Sequence, residues 1–294
     1  MILKAKHMGK ISTIIIWALL LCFGYVFIYP FVYAIAMSFM SYEDKLNPLV
    51  YLIPSSLSLE NYQVVFEKLD YWKILLQTIA FSCSCALAQT ISCCIIGYGF
   101  GTYDFKLKRV FIFIILLSFI VPAQVTSIPT YLLLKNLSLI NTPFAMILPA
   151  AMGQGIRSSI FIFIYYLVFY SVPKSIDEAA QVDGAGALRR FFQISIPLAK
   201  SGILLTFLFS MVWYWNETYL TYLFTGTSVQ TLPIQLRVFV SSLNINSLSE
   251  GALQMFETIE MAAVIVSLLP LVLMYVLLQR HFTGSIDKSG ITGE

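Results

Sequence analysis

The chain has 294 residues, of which 59% are hydrophobic and only 11% are charged. Its mean hydropathy is +0.82 and its formal net charge is +3. So few charges could not cover the surface of a water-soluble globule, whereas a bundle of membrane helices needs apolar side chains facing lipid. We therefore expect membrane lipid as the surroundings of this chain and no nucleic acid among its partners.

Six apolar stretches are long enough to cross a membrane, because about 30 Å of hydrocarbon takes roughly 20 helical residues. They lie at about 11–40, 74–98, 110–134, 144–170, 201–224 and 259–280. Arg157 interrupts the fourth stretch and Glu217 the fifth. Just before Arg157, Gly153, Gln154 and Gly155 favour unwinding of the helix. The pattern predicts an all-α, polytopic membrane protein with six transmembrane helices in a single domain.

The first stretch is expected to remain as a helix and not to be cleaved as a signal peptide. Its uncharged run from Ile11 to Tyr42 is 32 residues long, whereas the apolar core of a signal peptide has about 7 to 15 residues. Five cysteines lie in the first two stretches, and their odd number and apolar setting favour packing over disulfides or metal ligands. They are Cys22, Cys83, Cys85, Cys93 and Cys94.

The basic residues predict the orientation, because lysine and arginine near the ends of spans are retained on the cytoplasmic side. Twelve of them lie in the N-terminal segment, the loop 104–109, residues 174–200 and the C-terminal tail, against five in the other connections. We therefore expect cytoplasmic N- and C-termini. The segment 175–196 should face the cytoplasm too, and the loop 225–258 the outside.

The segment "SIDEAAQVDGAGALRRFFQISIPLAK", residues 175–200, is polar although it joins two apolar stretches. Pro173 ends the preceding stretch, and Ser175 with Glu178 has the spacing of a capping box, which predicts a helix from Ile176. Gly184 lies in a predicted turn. On composition alone, such a segment either docks in a groove of another protein or lies on lipid headgroups.

A second amphipathic piece follows the turn and leads to Pro197, which marks the start of the fifth stretch. Helical spacing predicts that Leu188, Phe191 and Phe192 share one side and that Arg189 and Arg190 point elsewhere. Whether the two arginines face a partner protein or lipid headgroups stays open at this point.

The spacing within this segment resembles the EAA signature of permease subunits of binding-protein-dependent ABC importers. Glu178-Ala179-Ala180 is followed after three residues by Gly184, after nine more by Ile194, and then by Ile196-Pro197, where leucine-proline is more usual. Other segments resemble the carbohydrate-uptake permeases of the maltose-type G-subunit group. They are Ile128-Pro129-Thr130-Tyr131, Leu139-Ile140-Asn141-Thr142, Thr231-Leu232-Pro233, the tail Gln279-Arg280-His281-Phe282-Thr283-Gly284, and Trp215-Asn216-Glu217, where an aspartate is more usual at the last position.

The resemblance covers most of the chain and implies a type I ABC importer permease (MetI-like) fold in the bacterial cytoplasmic membrane. It implies a paralogous permease subunit, a cytoplasmic ATPase dimer, an extracellular or periplasmic solute-binding protein, and a sugar or oligosaccharide as substrate. By the same resemblance, the loop 225–258 contacts the binding protein. ATP and magnesium belong to the ATPase, and this chain, which has no G-x-x-x-x-G-K-[ST] loop, has no cofactor, catalytic residue or metal of its own.

Two groups of site residues follow. The resemblance places coupling to the ATPase at Glu178, Ala179, Ala180, Asp183, Gly184, Arg189, Arg190 and Pro197. Ionisable and polar residues inside membranes are costly and are candidates for function, so the translocation path is expected to include Gln124, Thr126, Tyr131, Arg157, Tyr214, Asn216 and Glu217.

The path residues keep an alternative interpretation. Helical spacing aligns Ser210, Tyr214, Glu217 and Thr221 in a polar stripe that suits either a hydrated path or packing against a neighbouring helix. A pair between Arg157 and Glu217 is a further possibility. The alternatives for the whole chain are a permease of the same type for a non-sugar solute and a stand-alone secondary transporter, which needs an ion-coupling site at the membrane midplane. An intramembrane enzyme lacks a recognisable nucleophile–base pair.

Overall fold

The computed structural model describes residues 10–245 and 250–289, and all regular structure in these two ranges is helical. The helices are α1 (Lys10–Ser38), α2 (Tyr42–Leu46), α3 (Glu60–Lys68), α4 (Tyr71–Thr102), α5 (Lys108–Ile120), α6 (Ala123–Asn136), α7 (Phe144–Ala151), α8 (Ser158–Tyr170), α9 (Lys174–Val182), α10 (Ala187–Arg190), a π-helical turn (Phe191–Ser195), α11 (Ile196–Leu198), α12 (Lys200–Asn216), α13 (Tyr219–Thr225), α14 (Leu232–Ile245) and α15 (Glu250–Ser289).

Three segments in the described ranges are each long and apolar enough to cross a membrane: Ser12–Ser38, Tyr71–Thr102 and Phe256–Leu277. Three bent pairs of helices meet the same criterion together, so the number rises to six if each pair forms one span. The bends measure 103° between α5 and α6, 69° between α8 and α9, and 75° between Ala187–Leu198 and α12. The helices in the described ranges therefore allow at most six spans.

The three stretches at 110–134, 144–170 and 201–224 are divided, although the sequence predicted an interruption only in the second. In the first, Pro122 forces the preceding Val121 into an extended conformation, because a residue before proline disfavours the helical region. In the second, the helix unwinds between α7 and α8, as the glycines there predicted, and Gly153 has a φ of 74°. In the third, Glu217 is extended and ends α12.

The residues form two compact units, of which the first comprises Met1–Tyr71 and Leu236–Pro270. The Asn61 side chain is buried in α3 and donates hydrogen bonds to the carbonyl oxygens of Ser38 and Met40, at 3.1 and 2.8 Å. Lys45 forms an ion pair with Glu257 at 2.6 Å, and Glu257 also accepts a hydrogen bond from the Tyr33 hydroxyl. These contacts join α1, α2 and α3 to the first part of α15.

The second unit comprises Trp72–Gln235 and Leu271–Glu294. One of its cores lies between α4 and α8, and the other joins α4 to α6, α7, α12 and α13. Cys85, Cys93 and Cys94 are buried in these cores, in agreement with a packing role. Cys83 is half-buried and Cys22, which belongs to the first unit, is exposed.

Two glycines allow α4 to approach α8 closely. A Cβ atom built on Gly97 would lie 2.3 Å from the Cβ of Tyr165, and one on Gly101 would lie 2.5 Å from the Cβ of Phe169. Small residues four apart are typical of helix packing in membranes. This Gly-x-x-x-Gly spacing went unused in the sequence-based interpretation, although it identifies the tightest part of the α4–α8 contact.

Candidate functional site

Residues 174–198 form a helical hairpin, which we call the polar module, that begins with α9 and ends with α11. Gly184 has a φ of 77°, which confirms the predicted turn. The predicted capping box is wrong, because α9 begins at Lys174 after the N-cap Pro173 and no side chain caps it. Ser175 therefore lies inside the first turn, where its side chain does not cap the helix.

An ion pair closes the hairpin. Arg190 of α10 donates to the Asp177 carboxylate of α9 at 2.5 Å, and the Gln181 amide donates to the same carboxylate at 2.9 Å. Arg190 is only 9% exposed. Arg190 thus has a role inside the module, since its guanidinium pairs with Asp177 of α9, and its contact with the ATPase stays a prediction. Asp177 was not predicted as a site residue, although this acid directly precedes Glu178 of the EAA triplet.

A second set of ion pairs connects the module to the loop before α5. The Asp104 carboxylate lies 3.1 Å from the Lys174 ammonium and 3.1 Å from that of Lys108. These lysines lower the pKa of Asp104, and the same hydrogen bond raises the pKa of Lys174. Because Lys174 and Asp104 are both largely exposed, salt screens their attraction and the contribution to stability is small.

The apolar side chains of the second piece differ in exposure, although the rings of Phe191 and Phe192 touch, with 5.0 Å between their centroids. Phe191 is half-buried, and its ring lies 4.8 Å from that of Tyr98 on α4. Leu188 and Phe192 are 76% and 63% exposed. A π-helical turn, which has wider hydrogen-bond spacing than an α-helix, begins at Phe191.

The remaining coupling residues are mostly accessible. Those that lie exposed on the module are Glu178, Ala179, Asp183, Gly184, Arg189 and Pro197, and Ala180 is half-buried. The Arg189 guanidinium donates to the Gln193 side chain at 2.9 Å. Val182, which is 88% exposed, joins Leu188 and Phe192 as an uncovered apolar side chain. The module therefore presents both apolar and charged groups on its surface.

Inside the apolar part of the second unit, three groups hold the unwound segment between α7 and α8. The Tyr214 hydroxyl donates to the Gln89 side-chain oxygen at 2.6 Å and accepts from the Ile156 amide at 3.2 Å. The Gln89 amide donates to the Ile156 carbonyl at 2.7 Å. Ser92 donates to the carbonyl of Ala150 at 2.6 Å. Backbone groups released by the break are thereby satisfied, as the membrane interior requires.

Tyr214 therefore has a structural role here, and its place in the translocation path stays a prediction. It is 1% exposed, and Gln89 is fully buried. Gly155 is needed beside them, because a Cβ there would lie 2.3 Å from the Tyr214 hydroxyl and 2.4 Å from the Gln89 oxygen. The sequence predicted a polar tyrosine in the span but could not show its partners on α4 and in the break.

We expect Tyr214→Phe to lower the stability of the chain by about 2 kcal/mol, because the buried Gln89 oxygen and Ile156 amide both lose their partner. The measurement is thermal unfolding of the purified chain in detergent. Tyr222→Phe is the matched control, since Tyr222 is 58% exposed. Equal melting temperatures for the two variants would contradict the structural role of the Tyr214 hydroxyl.

Glu217 caps a helix and does not belong to a continuous polar stripe. α12 ends at Asn216, and the Glu217 carboxylate accepts a hydrogen bond from the Leu220 amide at the start of α13, at 2.9 Å. The predicted stripe is wrong because the chain changes direction there. Arg157 lies over the Trp213 ring, 5.1 Å from its centroid. Within the described ranges, no ion pair joins Arg157 to Glu217.

The other predicted path residues lie next to helix ends. Gln124 and Thr126 are exposed in the first turns of α6, just after the 103° bend. Asn216 is exposed at the end of α12 and donates to the Val212 carbonyl at 2.8 Å. Tyr131 is half-buried and packs against the core between α4, α6, α7, α12 and α13. Exposed polar side chains thus gather where apolar helices are interrupted.

An all-helical chain with up to six spans, broken membrane helices and a polar hairpin between two of them has the architecture of a multi-pass transport permease. Residues 94–288 match the family of the binding-protein-dependent transport system inner membrane component. The chain belongs to this family, as the EAA-like spacing predicted. It is a multi-pass permease subunit of the cytoplasmic membrane, and ATP is hydrolysed by the partner ATPase of such an ABC importer, not by this chain.

Individual relatives match over nearly the whole length. The chain is 29% identical over 292 residues to the polygalacturonan/rhamnogalacturonan transport system permease protein YtcP of Bacillus subtilis, covering 97% of this chain and 99% of that protein. It is 25% identical over 291 residues to the arabinooligosaccharides transport system permease protein AraQ of Halalkalibacterium halodurans, covering 97% and 99%.

A solved structure supports the fold. It is a bacterial ABC transporter involved in the import of the acidic polysaccharide alginate, and one of its chains superimposes with a TM-score of 0.78 at 24% identity. The match covers 95% of this chain and 100% of that chain. The expected all-helical permease fold is thereby confirmed.

Proposed function

We propose that this chain pairs with a paralogous permease and forms with it the path by which a sugar or oligosaccharide enters the cell. An external solute-binding protein delivers the saccharide, and a cytoplasmic ATPase dimer drives its release. Support comes from the full-length relatives, whose names refer to polygalacturonan, rhamnogalacturonan and arabinooligosaccharides. The exposed polar residues at the interrupted helices, Gln124, Thr126, Arg157 and Asn216, are the proposed lining of the path.

The observation that carries the proposal is the surface of the polar module. The hairpin is fixed internally by the Asp177–Arg190 pair, so its two helices form one body. Its exposed apolar side chains are Val182, Leu188 and Phe192. Their exposure to water is unfavourable, so covering them with another protein lowers the free energy. A rigid amphipathic hairpin of this kind suits a groove on another protein. We assign that groove to the ATPase, with Glu178 and Asp183 as exposed charges beside it.

The test is transport by the complete importer in proteoliposomes. Glu178→Lys reverses an exposed charge on the proposed contact, and Gly184→Pro cannot keep the φ of 77° because proline fixes φ near −65°. We expect both variants to insert and to co-purify with the partner permease, while ATP-driven saccharide uptake falls about tenfold or more.

Two matched controls separate docking from general damage. Gly186 has a φ of −65°, which proline adopts, and open space around it, so Gly186→Pro leaves the turn at Gly184 intact. Glu67→Lys reverses an exposed charge on α3, in the first unit. We expect normal uptake in both controls. Normal uptake in Glu178→Lys and Gly184→Pro as well would overturn the docking proposal.

The loop 225–258 remains the proposed contact for the solute-binding protein. It contains α14 (Leu232–Ile245), so a large part of it is ordered as a helix. Its residues 246–249 lie outside the described ranges. Val238 is 53% exposed on α14, and Arg237 is exposed beside it. These positions are the natural ones for cross-linking to the binding protein.

A further inference from the structure

Arg157 is a cation in an unusual setting. It is the residue that precedes α8, at the end of the unwound segment, and it has a φ of 54°. Its side chain is exposed on the second unit, within the otherwise uncharged stretch 144–170. Its guanidinium carbon lies 5.1 Å from the centre of the Trp213 ring on α12. Trp213 is itself fixed by ring contacts with Phe161 and Phe209, at 5.0 and 6.1 Å.

The charge of Arg157 lacks a protein anion in the part of the chain that the structure describes. The ion pairs found there join other residues, and the Glu217 carboxylate caps α13. A positive charge in a membrane-spanning region is costly unless an anion or water stabilises it. The positive end of α8 begins at the next residue and makes this requirement stronger. Trp213 gives a cation–π contact, but it does not neutralise the charge.

The arrangement orients the guanidinium and leaves it accessible to an incoming anion. An arginine over an aromatic ring is oriented by that ring, and its N–H groups can bind a carboxylate through two parallel hydrogen bonds. Polar neighbours surround this position. Gln154 is exposed in the same unwound segment, and Asn216 is exposed three residues after Trp213, on the same side of α12. Such amides hydrogen-bond the hydroxyl groups of a sugar.

We propose that Arg157, held by Trp213, binds the carboxylate of an acidic, uronate-containing oligosaccharide during its passage. This inference rests on the proposed function as a saccharide importer and names the substrate class. It is in keeping with the relatives, since one is named for polygalacturonan and the structural match is an importer of the acidic polysaccharide alginate. The competing occupant is an acidic side chain of the paralogous permease.

The experiment uses the complete importer in proteoliposomes and two probes, trigalacturonate, whose carboxyl groups are charged, and its methyl ester, whose carboxyl groups are esterified and neutral. We expect the wild-type importer to take up trigalacturonate. Arg157→Gln should lower this uptake about tenfold, as expected for the loss of hydrogen bonds to a charged group, and lower uptake of the methyl ester much less. Arg157→Lys, which keeps the charge but not the bidentate geometry, should give an intermediate rate.

Any other outcome overturns the inference, and the uptake of the two probes distinguishes these outcomes from one another. Unchanged trigalacturonate uptake in Arg157→Gln shows that the guanidinium does not bind the carboxylate. An equal loss for both probes, or loss of the partner permease on purification, shows that Arg157 pairs with a protein acid. Uptake of the methyl ester alone by the wild type excludes acidic substrates while the importer function stands. Failure of the wild type to take up any of a panel of acidic and neutral oligosaccharides overturns the proposed function itself.

Discussion

Replacing Gly97 with alanine is expected to destabilise the chain by about 2 kcal/mol, and Gly101→Ala by a similar amount, because overpacking of a tight contact typically costs 1–3 kcal/mol. The new Cβ at Gly97 would lie 2.3 Å from the Tyr165 Cβ and 3.0 Å from the Ile162 carbonyl oxygen. Neither atom can rotate away, since one is backbone and the other is fixed to it. Thermal unfolding in detergent measures the effect.

The matched control lies on the same helix. Gly99 has no atom within 4 Å of its ideal Cβ position. Gly99→Ala should therefore be neutral or stabilising, because alanine favours the helix by up to about 1 kcal/mol over glycine. Similar melting temperatures for Gly97→Ala and Gly99→Ala would show that the close α4–α8 approach does not exist in the membrane protein. The double variant at Gly97 and Gly101 should lose the most stability.

The second large effect is expected from Asp177→Ala, which leaves the guanidinium of Arg190 buried without its anion. Removing one partner of a buried ion pair costs about 3–5 kcal/mol. Because the Asp177 side chain is 29% exposed, we expect a smaller loss of local stability, about 2 kcal/mol. The hairpin should then open. In the reconstituted importer we expect saccharide uptake to fall about tenfold while the permease still inserts.

Charge exchange distinguishes the ion pair from a simple loss of packing. In Asp177→Arg with Arg190→Asp, the two charges are swapped and the pair can form again, so uptake should recover at least partly. Each single exchange should be worse than Asp177→Ala, because it places two like charges together. Hydrogen exchange of the amides in α9 and α10 reports opening of the hairpin directly. Wild-type protection in Asp177→Ala would refute the role of the pair.

The sequence alone predicts the class of the protein and the place of its functional module. Apolar stretches, basic residues and the EAA-like spacing are local signals, and they are sufficient for an all-helical permease with a polar hairpin around Gly184. The turn at Gly184 and the interruption before Arg157 were predicted for the same reason, since glycine allows a backbone conformation that other residues avoid.

The contacts that set the details of the site are not local. Asp177 and Arg190 are 13 residues apart, and Tyr214 and Gln89 are 125 apart. Their partners follow from packing, which a single sequence does not display. The prediction of a polar stripe through Glu217 was wrong for a related reason. An acidic residue in an apolar stretch can cap a new helix as readily as it can lie on the face of a continuous one. The sequence shows Pro122 inside an apolar stretch, but the size of the bend there depends on tertiary packing.

The ring contact between Phe191 and Tyr98 has a mechanical consequence. Tyr98 follows Gly97 directly, and its ring also packs edge-on against Phe169 of α8, at 5.3 Å. A displacement of the polar module is therefore transmitted to the α4–α8 contact through side chains that are already in contact. The module, α4 and α8 should behave as one stiff lever. The exposed Asp104–Lys174 pair also joins the module to the loop before α5, and salt weakens this pair, whereas the ring contacts do not depend on ionic strength.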